Sequence, residues 1–329
     1  MNLEGRRVLV TGAGGFIGSH LVERLVELGA TVRAMVRYNS RNDRGMIERL
    51  PAEVVDQVTV VVGDLAEEAT ALEVVKGMEV VFHLGALIAI PFSYLRPHET
   101  VRANVLGTLN VMQAARAHGT KKVVHTSTSE VYGSARYTPI DEKHPLQGQS
   151  PYAASKIGAD KIAESFHLSF GLPVATIRPF NTYGPRQSAR AVIPAIVSQA
   201  LVRDTVELGS LHPTRDLTYV TDTVDGFVKV AESDRSVGEV INVGSNFQIS
   251  IGELAEQIVA LVGRDVKIRT TRERERPERS EVQCLQADNR RAAELLGWRP
   301  AVTFREGLQR VIDWVRNHPA DYKADCYNV

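Results

Sequence analysis

Charge of one sign, cysteine and long apolar runs are all scarce in this 329-residue chain. Acidic and basic residues balance at 39 each, for a formal net charge of zero, which leaves no electrostatic footprint for a nucleic-acid partner. Cys284 and Cys326 are the only cysteines; they are too few for a disulfide framework and lie outside any metal-spaced cluster, so no metal is expected. No window reaches the roughly 18 uninterrupted apolar residues of a membrane span. The opening MNLEGRRVLV lacks the charged, apolar and small-residue regions of a signal peptide. The expectation is a cytoplasmic protein with neither nucleic acid nor membrane as partner. Repeats and low-complexity tracts are also missing, and the length suits one large or two modest domains with a substantial core.

What is present is alternation. Residues 6–11, RRVLVT, form a β-branched run followed by GAGGFIGSHLVERLVELG, in which Ile17, Leu21, Leu25 and Leu28 recur at helical spacing. Strand, glycine turn and helix in that order are the context in which Gly12, Gly15 and Gly18 carry meaning. Early glycines let a backbone approach a pyrophosphate, the last lets helix pack on strand, and the helix N-terminus faces the phosphates. Gly12, Gly15, Phe16, Ile17 and Gly18 are therefore read as dinucleotide-binding. The next strand, TVRAMV, ends at Arg37, where a NAD-selective site would place an acid for the ribose 2′-hydroxyl. Arg37, with Arg41, instead suits a 2′-phosphate, which tips the expected cofactor towards NADP over NAD; the alternative is a solvated basic loop. Two further strands lead to Asp64-Leu65 and to Leu84-Gly85-Ala86, all cofactor-edge positions. Asp64 fits an adenine amino group or a helix N-cap equally well. His83, inside an apolar strand, reads as a core histidine. A helix over roughly 98–118 contains Asn104, which is either a surface amide or a buried one that orients Lys156 through backbone or water; it is counted with the cofactor site.

The stretch from His125 to Lys156 brings the chemistry. It contains HTSTSEVYG and, after an acidic loop, SPYAASK. A Y-x-x-x-K pair recurs by chance at about one position in a few hundred, so its surroundings decide. Here Tyr152 and Lys156 stack on one helical face. A tyrosine, with an ordinary pKa of about 10, is a poor base, and an adjacent ammonium is expected to bring it towards the working pH. Thr128 ends the preceding strand and is placed to hydrogen-bond the same substrate oxygen. VATIRPF then leads to the Asn181–Arg186 turn. Alternation through about 180 residues predicts an α/β fold with a doubly wound parallel sheet: residues 1–186 form a Rossmann domain, with a returning strand near 239–245. Residues 187–329 form a smaller C-terminal substrate domain, with helices over 189–203, 222–232, 250–262, 288–296 and 303–317.

Together TGAGGFIG, STSEVYG, YAASK, RPFNTYGPR and TRDLTYVTD resemble the extended short-chain dehydrogenase/reductase family of epimerases and dehydratases that modify nucleotide sugars. The match covers nearly the whole chain. The resemblance implies NAD(P), a nucleotide-sugar substrate and a homodimer through paired helices. It assigns Tyr152 and Lys156, with Thr128, to the chemistry. It places Asn181, Arg186, Val192 and Arg215 against the substrate, with Arg276 as a second phosphate-binding arginine. Glu130 narrows the choice, because oxidation and re-reduction at C4 need no second base, whereas a 4,6-dehydratase must remove the C5 proton while the C6 hydroxyl leaves. The dTDP-glucose dehydratases carry Thr-Asp-Glu; Thr128-Ser129-Glu130 resembles instead the Thr-Ser-Glu of GDP-mannose 4,6-dehydratases, in which the glutamate is thought to serve both steps. UDP-glucuronate decarboxylases share S-E-V-Y-G. The wider wording looks most like dehydratases of nucleotide-linked N-acetylhexosamines, so a 4,6-dehydratase of UDP- or GDP-linked N-acetylglucosamine ranks first. The decarboxylase ranks second and a C4-epimerase third. A catalytically idle cofactor-binding regulator ranks last, since it needs no Thr128, Glu130, Tyr152 and Lys156 together.

Overall fold

The computed structural model describes residues 1–275 and 277–324. Its strands are β1 (Arg7–Thr11), β2 (Thr31–Val36), β3 (Val58–Val62), β4 (Val80–His83), β5 (Lys122–Thr126), β6 (Val174–Pro179), β7 (Asn181–Tyr183), β8 (Thr205–Leu208), β9 (Thr214–Tyr219), β10 (Val240–Val243), β11 (Gln248–Ser250) and β12 (Lys267–Thr270). Its helices are α1 (Phe16–Glu27), α2 (Ala52–Val55), α3 (Glu68–Val75), α4 (Ile90–Leu95), α5 (Pro97–Val101), α6 (Gly107–Ala117), α7 (Pro151–Phe170), α8 (Val192–Val202), α9 (Val220–Glu232), α10 (Ile251–Val262), α11 (Arg290–Leu296) and α12 (Phe304–Asn317). Among the described residues no helix is long and apolar enough to cross a membrane.

Seven strands form one sheet in the order β10-β6-β5-β4-β1-β2-β3, with every pairing parallel. This is the expected doubly wound Rossmann sheet. Its central strands are near-continuous apolar runs because helices cover both faces: β4 and β6 are buried along their whole length, whereas the edge strand β3 has no fully buried residue. Alternation along the strands sorts the core into two layers. Leu9, Val81 and Val123 pack with Val74, Met112 and Ala163 of α3, α6 and α7. Val8, Val10, Phe82 and Val124 pack with Leu21, Leu25, Val224 and Phe227 of α1 and α9. The second layer runs on into α8, α10 and α12 through Ile196, Leu254, Ile258 and Val311. A three-stranded sheet, β11-β9-β7, and a parallel pair, β12-β8, complete the C-terminal half.

The strand order reverses direction between β1 and β4, which opens a crevice at the C-terminal ends of those strands. Two sequence devices aim side chains there. At the first, Gly12 has φ +69, and a Cβ on it would lie 2.9 Å from the Gly85 nitrogen; a Cβ on Gly18 would lie 2.3 Å from the Gly12 carbonyl. Only glycine lets these turns close on each other. At the second, Ser150 caps α7 by accepting the Ala153 amide at 3.1 Å, Pro151 occupies the first turn, and Gly171 (φ +65) ends the helix, the start and stop expected of a long helix. Tyr152 is thereby fixed in the first turn of α7.

Candidate active site

The residues expected to meet the cofactor gather at the C-terminal ends of neighbouring strands of the sheet. Gly12, Gly15, Phe16, Ile17 and Gly18 form the β1–α1 turn, Arg37 follows β2, Asp64 and Leu65 follow β3, and Leu84, Gly85 and Ala86 follow β4. Leu65 packs against Gly85 and Gly107. Asp64 does not cap a helix: α3 starts only at Glu68, and the Asp64 carboxylate accepts the Ala66 amide at 2.9 Å. Its other oxygen lies 3.9 Å from an Arg37 nitrogen, a pairing that sequence reading, taking the two residues singly, did not foresee.

His83 is the satisfied core histidine its strand suggested. Thr108 gives its hydroxyl proton to the Asn104 carbonyl (2.7 Å), so it must accept from His83 Nε2 (3.0 Å); Nδ1 in turn accepts from Thr11 (3.0 Å), whose oxygen takes the Gly85 amide (3.0 Å). The chain of bonds runs from the cofactor edge to Asn104. Asn104 itself is buried in one π-helical turn, 102–106, between α5 and α6. It accepts from the Leu87 amide (2.7 Å) and donates to the Leu87 carbonyl (3.0 Å) and Ser155 Oγ (2.9 Å). Of the two alternatives it is the buried one, and its bond to Ser155 fastens α7, the helix that carries Lys156.

The S-E-V-Y-G turn follows β5. Thr128 Oγ1 accepts the Glu130 amide at 3.2 Å and starts a short 3₁₀ turn, Ser129–Tyr132. Ser129 is buried, which leaves Glu130 as the carboxylate of the turn. Tyr152 and Lys156 are buried too. Burial pushes the Tyr152 phenol up; a hydrogen bond with Thr128 opposes this, and the charges of Glu130 and Asp160 add to it. The expected lowering of the phenol by Lys156 is therefore corrected. The lysine is itself pushed down to about 8 by burial, and its Nζ donates to the Thr126 carbonyl at 2.6 Å. Near neutrality the pair is phenol and ammonium. The N-terminus of α7 still favours a phenolate when one forms.

On the substrate side, Asn181 stands in β7, and its Oδ1 is buried without a partner among the described residues, as is Thr126 Oγ1 near the lysine. Unpaired buried acceptors are rare, and both suit a polyhydroxylated ligand and its cofactor. Val192 opens α8. Arg215 is buried, bonds the Val282 carbonyl at 2.8 Å and pairs with Glu281 at 2.9 Å. Arg186 has φ +67, and its buried guanidinium reaches Glu23 at 2.5 Å and the ring of His20, tying the loop 184–191 to α1. Burial and the Arg186 charge hold His20 down to about 3, so it accepts as a neutral ring. Arg276 lies outside the described residues.

Sequence reading missed a buried network behind Lys156. Asp160, one turn further along α7, accepts from His125 Nε2 (3.0 Å), Ser127 Oγ (2.6 Å) and Arg178 Nη2 (2.9 Å). Arg178 also donates to Tyr132 Oη at 3.0 Å, and Tyr132 donates to Asn242 at 2.8 Å. The available signal was spacing: Tyr152, Lys156 and Asp160 recur every four residues on one helical face.

The family model described as GDP-mannose 4,6 dehydratase matches residues 9–311. The chain is 37% identical over 318 residues to a UDP-glucose 4-epimerase of Mycolicibacterium smegmatis, with 94% of this chain and 99% of that one covered. It is 32% identical over 322 residues to the UDP-N-acetyl-alpha-D-glucosaminuronate decarboxylase of Bacillus cytotoxicus, at 94% and 98% coverage. Among solved structures, a double mutant of DesIV, the dTDP-glucose 4,6-dehydratase of Streptomyces venezuelae, with NAD and DAU bound, aligns with a TM-score of 0.87 at 29% identity, covering 96% and 99% of the two chains. Three chemistries thus occur among proteins similar over nearly the whole length. Likeness of this breadth speaks for the family and leaves the reaction to the site.

Proposed function

The chain belongs to the GDP-mannose 4,6-dehydratase family of nucleotide-sugar enzymes, and from that premise we propose that it is itself a 4,6-dehydratase acting on UDP- or GDP-linked N-acetylglucosamine. The observation that carries the reading is the place of Glu130: its amide is bonded at 3.2 Å to Thr128 Oγ1, the hydroxyl that also bonds Tyr152, and its charge acts on the phenol. A second ionisable group beside the C4 base serves a reaction that must move a second proton. Residues 1–186, with β10 added to the sheet, hold the cofactor, and residues 187–329 mainly hold the nucleotide sugar.

When bound, the nicotinamide dinucleotide supplies the hydride acceptor for C4 and the hydride returned to C6. The glycine cradle at Gly12 and Gly85 suits its pyrophosphate. Arg37 favours NADP, with NAD as the alternative. Tyr152 must first lose its own proton, and it is the phenolate, favoured by the helix N-terminus, that takes the C4 hydroxyl proton, with Thr128 holding the same oxygen and the Lys156 ammonium on the same helical face. With C4 a ketone, the C5 proton is acidic. Glu130 removes it and, because Ser129 stands where other dehydratases carry an acid, also protonates the departing C6 hydroxyl. Tyr152 then releases its proton, and Glu130, reprotonated in exchange with solvent, returns one to C5, which completes a 4-keto-6-deoxy sugar and one water. Asn181 and Arg215 orient the diphosphate. Exposed Leu95, Val101 and Leu168 on α4, α5 and α7 support a homodimer through these helices.

The similarity to a C4-epimerase over 94% of the chain makes epimerisation the second reading. Incubating the protein with UDP- and GDP-sugars and weighing the products separates the cases. Loss of water supports the dehydratase, loss of carbon dioxide from UDP-glucuronate supports a decarboxylase, and unchanged mass with a new C4 configuration supports the epimerase. Solvent deuterium should enter at C5. No turnover despite tight cofactor binding would leave a regulator.

A further inference from the structure

Asp160 belongs to none of the motifs that carry the reaction, yet its carboxylate is the point where three parts of the site meet. It bonds His125 and Ser127, the residues on either side of Thr126, whose carbonyl receives Lys156. Through Arg178 it reaches Tyr132, two residues beyond Glu130 in the same turn. It also sits one helical turn after Lys156 and two after Tyr152. We propose that Asp160 is a positioning residue: without touching substrate, it locks α7 against β5 and the S-E-V-Y-G turn, and it compensates the buried ammonium of Lys156.

The charges around Lys156 make the case for compensation. His83 from β4, His125 from β5 and Asp160 from α7 interact with it; Arg178 from β6 pairs with Asp160, Tyr152 lies one turn earlier on α7, and Glu130 is near the phenol. Burial lowers both histidines, so they are neutral. A carboxylate only accepts, so His125 donates from Nε2, and its Nδ1 is the lone pair left without a partner among the described residues. Arg178 and Lys156 are two buried cations, and Asp160 is the buried carboxylate between them. Burial works to raise Asp160, but the hydrogen bond from neutral His125 and the charges of Arg178 and Lys156 outweigh it and keep the acid ionised. Among the effects on Lys156, Asp160 is the one that opposes burial.

The inference rests on the reading above only in giving Tyr152 and Lys156 to the chemistry, and its test does not depend on turnover. Isotope-labelled lysine followed by NMR, with Lys156→Arg identifying the resonance, reports the titration of Lys156 directly. In the wild type we expect a midpoint near 8; in Asp160→Asn we expect it lower by about one unit or more, the size of a lost opposite charge. On any nucleotide sugar that is turned over, the alkaline limb of kcat should move down in step, with KM nearly unchanged. A purely structural defect would lower kcat at every pH and leave the limb in place. An unmoved Lys156 titration in folded Asp160→Asn overturns the proposal. If that variant does not fold, the wild type decides: a midpoint below about 7, where an uncompensated buried lysine titrates, also overturns it. A shifted lysine in a protein that turns over no nucleotide sugar would defeat the functional reading and leave this one standing.

Discussion

The Arg37 guanidinium lies 3.9 Å from the Asp64 carboxylate, across the ends of β2 and β3. The arginine side chain is 70% exposed, so the pair is worth roughly 1 kcal/mol or less and yields readily to a phosphate dianion. We expect Arg37→Ala to weaken NADP binding about tenfold or more while leaving NAD within about twofold, as befits loss of a charge-assisted contact. Titration of cofactor-free protein checks this. An equal loss for both cofactors would mean that Arg37 serves the loop and not the 2′-phosphate.

Gly18→Ala tests the turn. The added Cβ would meet the Gly12 carbonyl at 2.3 Å and Ala13 Cα at 2.9 Å, both backbone atoms that cannot swing aside. The helix must shift away from the turn. We expect cofactor affinity to fall by at least about tenfold and the melting temperature to drop, in keeping with an overpacked core position. Unchanged affinity measured by calorimetry would contradict this packing.

The pH dependence of stability has a definite sign. Burial holds Lys122, bonded to Ser236 Oγ at 2.7 Å, and Lys156 each down to about 8. Between that value and the ordinary lysine value of about 10.4, the unfolded chain binds more protons than the folded one, so these groups make stability rise with pH. Tyr152 and Tyr183 are raised by burial, and their contribution falls as pH climbs past about 10. Denaturant unfolding should therefore show a gain from about pH 8 towards 10 and a loss beyond. Lys122→Met should remove part of the gain. A curve that falls steadily from neutrality would contradict the assignment.

Much of this was legible in the sequence because it is local. The glycine spacing and the apolar strands each settle their structure within a few residues. What was not legible depends on residues far apart in the chain: Arg37 with Asp64, Arg186 with Glu23, and Asp160 with Arg178 and Ser127. The phenol was misjudged for the same reason. Its four-residue spacing from Lys156 was visible, but the burial that dominates it arises only when the sheet, the turn and α7 close together.

Asn181 offers an acceptor with no partner among the described residues. If it meets the nucleotide sugar equally in ground and transition states, Asn181→Ala should raise KM about tenfold with kcat nearly unchanged. Steady-state kinetics distinguish this from a fall in kcat alone, which would place Asn181 in the chemistry.

In the proposed dehydration Glu130 drives elimination after Tyr152 has opened the way at C4. The rate of water loss from the nucleotide sugar by Glu130→Gln, measured by mass alongside the absorbance of reduced cofactor, tests it most directly. We expect cofactor binding and the first hydride transfer to persist while dehydrated product slows by about 10²-fold or more. Dehydration by Glu130→Gln at close to the wild-type rate would contradict it.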